Sequence, residues 1–248
     1  MDTMWKLTHR WTRHAALAVI LSAAAQAGAM NGSPVEPPVA KVLGDELHAT
    51  DPDELRYLIL QALSQQYAAE QGIQVTEADI DAYVAGMARI AEKDRREREA
   101  RRQAIERQLA APGGDEAERQ ALTSELDSLN RLQRDLDEMA GQNAEDAEEA
   151  RQARRTVAAA FVRQWKLNQA LFRQYGGRVI FQQGGPEPLD AYRRFLEERQ
   201  QRGDFEILDH DLDVRFWRYY RTDSLHSSYA SGSDEEKRAF DTPWWLSE

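Results

Sequence analysis

Asp209-His210-Asp211-Leu212-Asp213 places three carboxylates and an imidazole within five residues, the donor types that a divalent cation takes. Neighbouring side chains on a helix splay apart, however, and rarely converge on one ion. A carboxylate just ahead of Leu212 instead reads as a helix cap, with its acidic neighbours favoured by the helix dipole. Ser224, His226, Ser227 and Ser228 supply a nucleophile and a base by type. Serine hydrolysis also needs a positioned triad, and the nucleophile-elbow pattern GxSxG is not there. The stretch QYGGRVIFQQGGPEPLDAY, Gln174 to Tyr192, carries two Gly-Gly pairs that invite a phosphate cradle. Such a cradle follows a strand and leads into a Lys-Ser/Thr pair. These glycines follow an aromatic helical pattern and no such pair comes after them, so they read as punctuation between helix, strand and helix. Beyond the N-terminal segment the histidines are His48, His210 and His226, few for acid–base work at neutral pH. We therefore expect no catalytic residues, no cofactor site and no metal site.

The elements that would position these residues are mainly helical. Thr50-Asp51-Pro52-Asp53-Glu54 is a helix start, with Leu55, Ile59, Ala62, Leu63 and Tyr67 at helical spacing and a stop at Gly72. Thr76 caps the next helix, whose buried stripe is Ile80, Tyr83, Val84, Met87 and Ile90. From Ala91 to Arg102 the sequence AEKDRREREARR carries almost no apolar side chain, so that helix runs on into water. Ala111-Pro112-Gly113-Gly114 breaks it. Leu122, Leu126, Leu129, Leu132, Leu136 and Met139 then form a seam for an antiparallel partner, with Ile105 and Leu109 as its complement. Phe161, Trp165, Asn168, Phe172 and Tyr175 make a further one-sided stripe, read as core because aromatics bury large areas. Arg178-Val179-Ile180-Phe181 has strand composition, and Gly184 to Pro188 reads as a turn opening a helix with Leu189, Tyr192, Phe195 and Leu196. Phe205 to Leu208 is a second strand able to pair with Val179–Phe181. An aromatic helix with Leu212, Phe216, Trp217 and Tyr220 follows it. Trp244-Trp245 reads as a segment that docks on the body.

Residues 1–29 have the three parts of a secretory signal: Lys6, Arg10 and Arg13, then the apolar run Ala15 to Ala25, then small residues suited to cleavage. The apolar run is short for a membrane span, and no later segment is suited to one. Loss of residues 1–27 would remove Lys6, Arg10, Arg13 and Asp2 and take the net charge from −11 to −13. So acidic a chain is poorly suited to coating nucleic acid, where phosphates need clustered Lys and Arg. With no cysteine, disulfides, zinc–thiolate sites and lipid modification at a cysteine are excluded. The expected setting is the periplasm.

Residues 39–90 carry a resemblance. Leu55, Ile59-Leu60, Leu63, Gln66 and Ala68-Ala69, followed by Gly72-Ile73-Gln74-Val75-Thr76 and Ile80-Asp81-Ala82-Tyr83, resemble the N-terminal helical domain of SurA/PpiD-type periplasmic chaperones. The resemblance implies a first helix ending at Gly72, a short link and a second helix starting at Thr76. It further implies an apolar helical cradle for unfolded or partly folded envelope polypeptides, with Phe161–Tyr175 as the returning helix. Members of that family often carry a parvulin isomerase domain. No mixed α/β pattern occurs in residues 92–155, and the residues after Tyr175 are too few, so isomerase activity is not expected.

The expected fold is thus mainly α: a SurA N-terminal-like helical domain, a long charged antiparallel helical hairpin and a small C-terminal α+β extension with a short two-stranded element. The expected segments are a signal peptide at 1–29, a flexible leader at 30–48, a helical core from 49–91 plus 156–175, a hairpin insertion at 92–155, and an extension at 176–248 packing on the core. The expected peptide-binding residues are Leu63, Tyr67, Tyr83, Met87, Phe161, Trp165 and Phe172. A scaffolding protein that uses the charged hairpin for partner or self association is the alternative.

Overall fold

The computed structural model describes residues 37–145, 147–182 and 184–246, so the signal-like segment at 1–29 and the first part of the leader lie outside the described residues. The helix starts follow from their caps. Asp51 Oδ1 accepts the backbone N–H groups of Asp53 and Glu54, at 2.8 and 2.9 Å, and opens α1, Pro52–Glu70. Thr76 and Asp79 form a reciprocal capping box at the start of α2, Glu77–Ala110. After the break at 111–115 come α3, Glu116–Glu145, and α4, Ala147–Tyr175. Gly176, with φ of 60°, donates its N–H to Phe172 O and ends α4 in the left-handed conformation that a side chain disfavours. The glycines are a helix stop. Among the described residues no helix is long and apolar enough to cross a membrane.

Contacts divide the chain into two units, and the division differs from the segments drawn from sequence. Among the described residues, one unit takes 37–65 together with Arg178–Tyr229; the other takes Gln66–Gly177 together with 230–246. Most of α1 therefore belongs with the later part of the chain, not with α2, and the 176–248 extension is shared between the units. The reason is apolar matching: Leu55, Ile59 and Leu63 recur on one face of α1, and the 178–229 segment supplies a dense set of buried aromatics.

The first unit contains the strands. β1, Ala40–Val42, and β2, Asp45–Leu47, pair antiparallel through a tight turn in which Leu43 and Gly44 both have positive φ, 49° and 93°. β3, Ile180–Gln182, pairs with β4, Gly185–Glu187, with Phe181 opposite Pro186. β5, Phe205–Ile207, pairs antiparallel with β1, giving the order β2-β1-β5. Three expectations are corrected here. The leader at 30–48 is not flexible over residues 40–47, which form a hairpin. The 205–208 strand pairs with β1 and not with the strand at 179–181. Residues 185–187, expected as a turn, form a short strand, tolerable for Pro186 in a two-stranded edge pair. Two helices, α5 (Leu189–Gln201) and α6 (His210–Arg221), bury Tyr192, Phe195, Leu196, Phe216, Trp217 and Tyr220 on one side each.

The second unit is built on α2, α3 and α4. α2 and α3 form the expected antiparallel pair, joined across the break by Arg119 Nη2 donating to Leu109 O at 3.0 Å and by the Arg101–Glu125 ion pair at 2.7 Å. Ile105 is fully buried, while the α3 leucines are only half-buried and Met139 is exposed. The core proper lies at the other end. Ile80 and Tyr83 of α2 meet Ala158, Val162 and Trp165 of α4, and Trp245 completes the cluster. Trp245 reaches it after a short helix, α7 (Asp234–Arg238), and a 3₁₀ turn at Trp244–Leu246.

Candidate functional site

The groove between the first half of α2 and the second half of α4 holds most of the residues expected to bind polypeptide. Lys166 ties the two helices, donating to Asp79 Oδ2 at 2.6 Å and to Gln74 O at 2.9 Å. Burial alone would raise the Asp79 carboxyl, but Lys166 and the Thr76 donors outweigh it and hold it at about 2. Arg155 adds ion pairs to Glu77 and to Asp81, the latter at 2.6 Å. With the helices clamped at these points, Tyr83 stacks on Phe161 with centroids 5.6 Å apart, and Met87 packs on the same cluster.

The groove is occupied. The Trp245 ring lies edge-on to Tyr83 at 5.0 Å and to Trp165 at 5.8 Å, and Trp244 meets Tyr83 at 6.3 Å. Trp245 keeps only 4% of its surface. A buried Trp removes roughly 150–250 Å² from water, worth about 4–6 kcal/mol before the cost of ordering the chain. The backbone fits as closely as the ring. A Cβ placed on Gly86 would overlap the Trp245 carbonyl oxygen and lie 3.1 Å from Trp245 Cδ1. A glycine inside a helix costs about 1 kcal/mol relative to alanine, and here it admits a passing main chain. Upstream, Phe240 packs on Phe172 at 5.0 Å and its carbonyl accepts from Gln169 Nε2 at 2.7 Å. One donor in the groove goes unused: Trp165 Nε1 is buried and has no hydrogen-bond partner.

Six of the seven expected residues (Tyr67, Tyr83, Met87, Phe161, Trp165 and Phe172) thus fall in the second unit. Tyr83, Met87, Phe161 and Trp165 come together in the groove, and Phe172 meets the segment leading into it. Tyr67 is buried, with its hydroxyl donating to Gln174 Oε1 at 2.7 Å. Leu63 is fully buried in the first unit. Sequence reasoning placed Trp244–Trp245 on the body without saying where. Gly86, interrupting an otherwise periodic stripe, was the available signal for a close backbone approach.

The first unit holds a polar cluster that spacing does not reveal. Tyr219 donates to Glu187 Oε1 at 3.2 Å and accepts from Gln182 Nε2 at 3.0 Å. The Arg56 guanidinium sits 4.0 Å from the centre of the Tyr219 ring. Burial pushes the Glu187 carboxyl up, although Tyr219 and Arg56 both favour its charge. Burial and that carboxyl push Tyr219 up strongly. The Tyr220 hydroxyl beside them is buried with no hydrogen-bond partner. His226 Nε2 is engaged by Tyr219 O at 2.7 Å, so one of its ring nitrogens is committed to backbone. Asp209 accepts from Leu212 N at 2.8 Å, the helix cap read from sequence, while His210 and Asp211 stay exposed.

No family model, curated protein or solved structure matches this chain.

Proposed function

We propose that this protein is an exported, non-enzymatic binder of unfolded or partly folded envelope polypeptides, acting in the periplasm through the groove between α2 and α4. The observation that carries the reading is the seat of Trp245: a chain segment remote from both helices lies there with its ring among aromatics and its carbonyl against Gly86. A surface that takes a main chain at a glycine and a large ring beside it suits extended polypeptide that carries an aromatic side chain. The signal-like N-terminal sequence supports export. Nothing in the reading requires isomerase chemistry.

The test is suppression of aggregation. Purified protein at stoichiometric excess should protect an unfolded outer-membrane protein on dilution from denaturant, with weak dependence on salt because the contacts are apolar. No protection under those conditions would end the reading. Cell fractionation should recover the protein with the periplasmic contents, and recovery with the cytoplasm would remove the proposed setting.

One observation favours a second reading, a scaffold that acts through the charged arm. The α3 stripe Leu122, Leu126, Leu129, Leu132 and Leu136 is only half-buried, and Met139 keeps 49% exposure. Half-buried leucines at heptad-like steps suit a further helix. Excising the arm separates the readings: polypeptide binding should survive, whereas a scaffold should lose its partner in a pull-down from envelope extract.

A further inference from the structure

We propose that the segment Thr242–Leu246 is a resident self-ligand of the α2–α4 groove, and that polypeptides bearing large aromatic side chains enter by displacing it. This rests on the polypeptide-binding reading and adds its regulation. The segment is seated by one deep anchor, Trp245, with Trp244 half-buried and Leu246 exposed on either side. Asp241 and Thr242, between the Phe240 contact and the anchor, are exposed. A short stretch held by two neighbouring rings and one close carbonyl can leave without undoing the helices beneath it, which carry their own ties at Lys166–Asp79 and Arg155–Asp81.

The seat is also imperfectly filled. Trp165 Nε1 points into buried surroundings with no acceptor, so the resident segment leaves a donor unsatisfied that another main-chain carbonyl can meet. Gly86 sets the geometry of entry, because a side chain there would collide with the carbonyl of whatever occupies the Trp245 position. An occupant tethered in the same chain competes at high effective concentration, which lowers the apparent affinity for any incoming segment.

The probe is a labelled octapeptide of sequence DTPWWLSE, followed by fluorescence anisotropy on the full chain. The variant carrying Trp244→Ala and Trp245→Ala should bind it at least about tenfold more tightly than wild type. Adding Gly86→Ala should abolish that gain, and a peptide with both tryptophans replaced by alanine should not bind. Equal binding to wild type and variant, or binding indifferent to Gly86→Ala, would overturn the proposal. So would a double variant that loses its helical circular dichroism, since the helices would then depend on the segment for their fold. Wild type gives an independent measure. The amides of Thr242, Trp244, Trp245 and Leu246 should exchange with deuterium on the order of a hundredfold faster than those of residues 158–171. Equal protection would also count against displacement. The two readings fail separately: peptide binding without protection from aggregation removes the polypeptide-binding function alone, and protection without peptide binding removes the self-ligand alone.

Discussion

The two halves of α2 are held by different physics. From Glu77 to Ile90 the helix buries Ile80, Tyr83 and Gly86 under α4 and Trp245. From Ala91 to Ala110 it buries Ile105 and otherwise presents a ladder of ions to water. Glu92 accepts from Arg95 and Arg96 at 2.9 and 2.8 Å, Glu99 from Arg102 and Gln103 at 2.8 and 2.7 Å, and Arg102 continues to Glu106 at 2.7 Å. The arginine donors hold both Glu92 and Glu99 at about 2. Such pairs on an exposed face keep the helix soluble and straight, yet each contributes little to stability. The lesson is one of leverage. In the apolar half a single side chain decides the packing, whereas in the charged half the work is spread over many weak contacts and one isoleucine.

Tyr83 is the side chain on which the apolar half depends most. Tyr83→Ala removes a ring that meets Phe161, Trp244 and Trp245 at once, and should cost about 3–5 kcal/mol in urea unfolding. A loss below about 1 kcal/mol would mean that the aromatic cluster is not the core of this unit. Ile105→Ala asks the same of the arm. As the fully buried side chain of an otherwise charged stretch, it should cost about 2–4 kcal/mol and speed amide exchange along α3. If exchange in α3 is unchanged, the ion ladder matters more than burial.

Acid tests the clamp of the apolar half directly. Asp79 is held at about 2 against an ordinary 3.8, so its contribution is present above pH 3.8 and is lost as pH falls through 2. Its side chain keeps 29% exposure and screening reduces the effect, leaving about 1–2 kcal/mol. Asp79→Asn should flatten that part of the stability–pH curve and loosen the α2–α4 clamp, read as a lower urea midpoint at pH 7 with little change at pH 2. Glu187 works in the opposite sense. Its raised carboxyl contributes stability below pH 4.5 that is lost as pH rises through the elevated value.

Local signals carried the helices and located the strands at Ile180–Gln182 and Phe205–Ile207, but not the strands at 40–47 or the pairing between them. Asp51, Thr76, Gly176 and Asp209 each announce a helix boundary by their own chemistry, and each acts there as a cap or a stop. The break at 111–115 and the charged run after Ala91 likewise declare an arm. By contrast, Ala40–Val42 pairs with Phe205–Ile207 across more than half of the chain, and three-residue strands leave almost no alternation to detect. The same distance hid the units, because nothing near Leu63 says that it belongs to one unit with Arg178–Tyr229. The groove was legible as an aromatic stripe. Its occupant was not, since the fit of Trp245 to Gly86 depends on a main-chain approach between residues far apart. Glu187 was missed for a related reason: Tyr219 and Arg56, the groups that act on its carboxyl, are far from it in sequence.

The Arg101–Glu125 pair is where the charged half is held most directly. Arg101 and Glu125 meet through two hydrogen bonds of 2.7 Å, a two-pronged pair between α2 and α3. If ion pairing stabilised the arm, it would be here. Both side chains nevertheless keep over 40% exposure, and fixing two long side chains costs rotamer entropy. A double-mutant cycle of Arg101→Ala and Glu125→Ala should therefore return a coupling of about 0.2–1 kcal/mol at low salt, shrinking toward zero as ionic strength rises beyond about 0.5 M. A coupling above about 2 kcal/mol, or one insensitive to salt, would mean that the pair is effectively desolvated. The arm would then be a packed element like the groove, and the contrast between the two halves of α2 would fail.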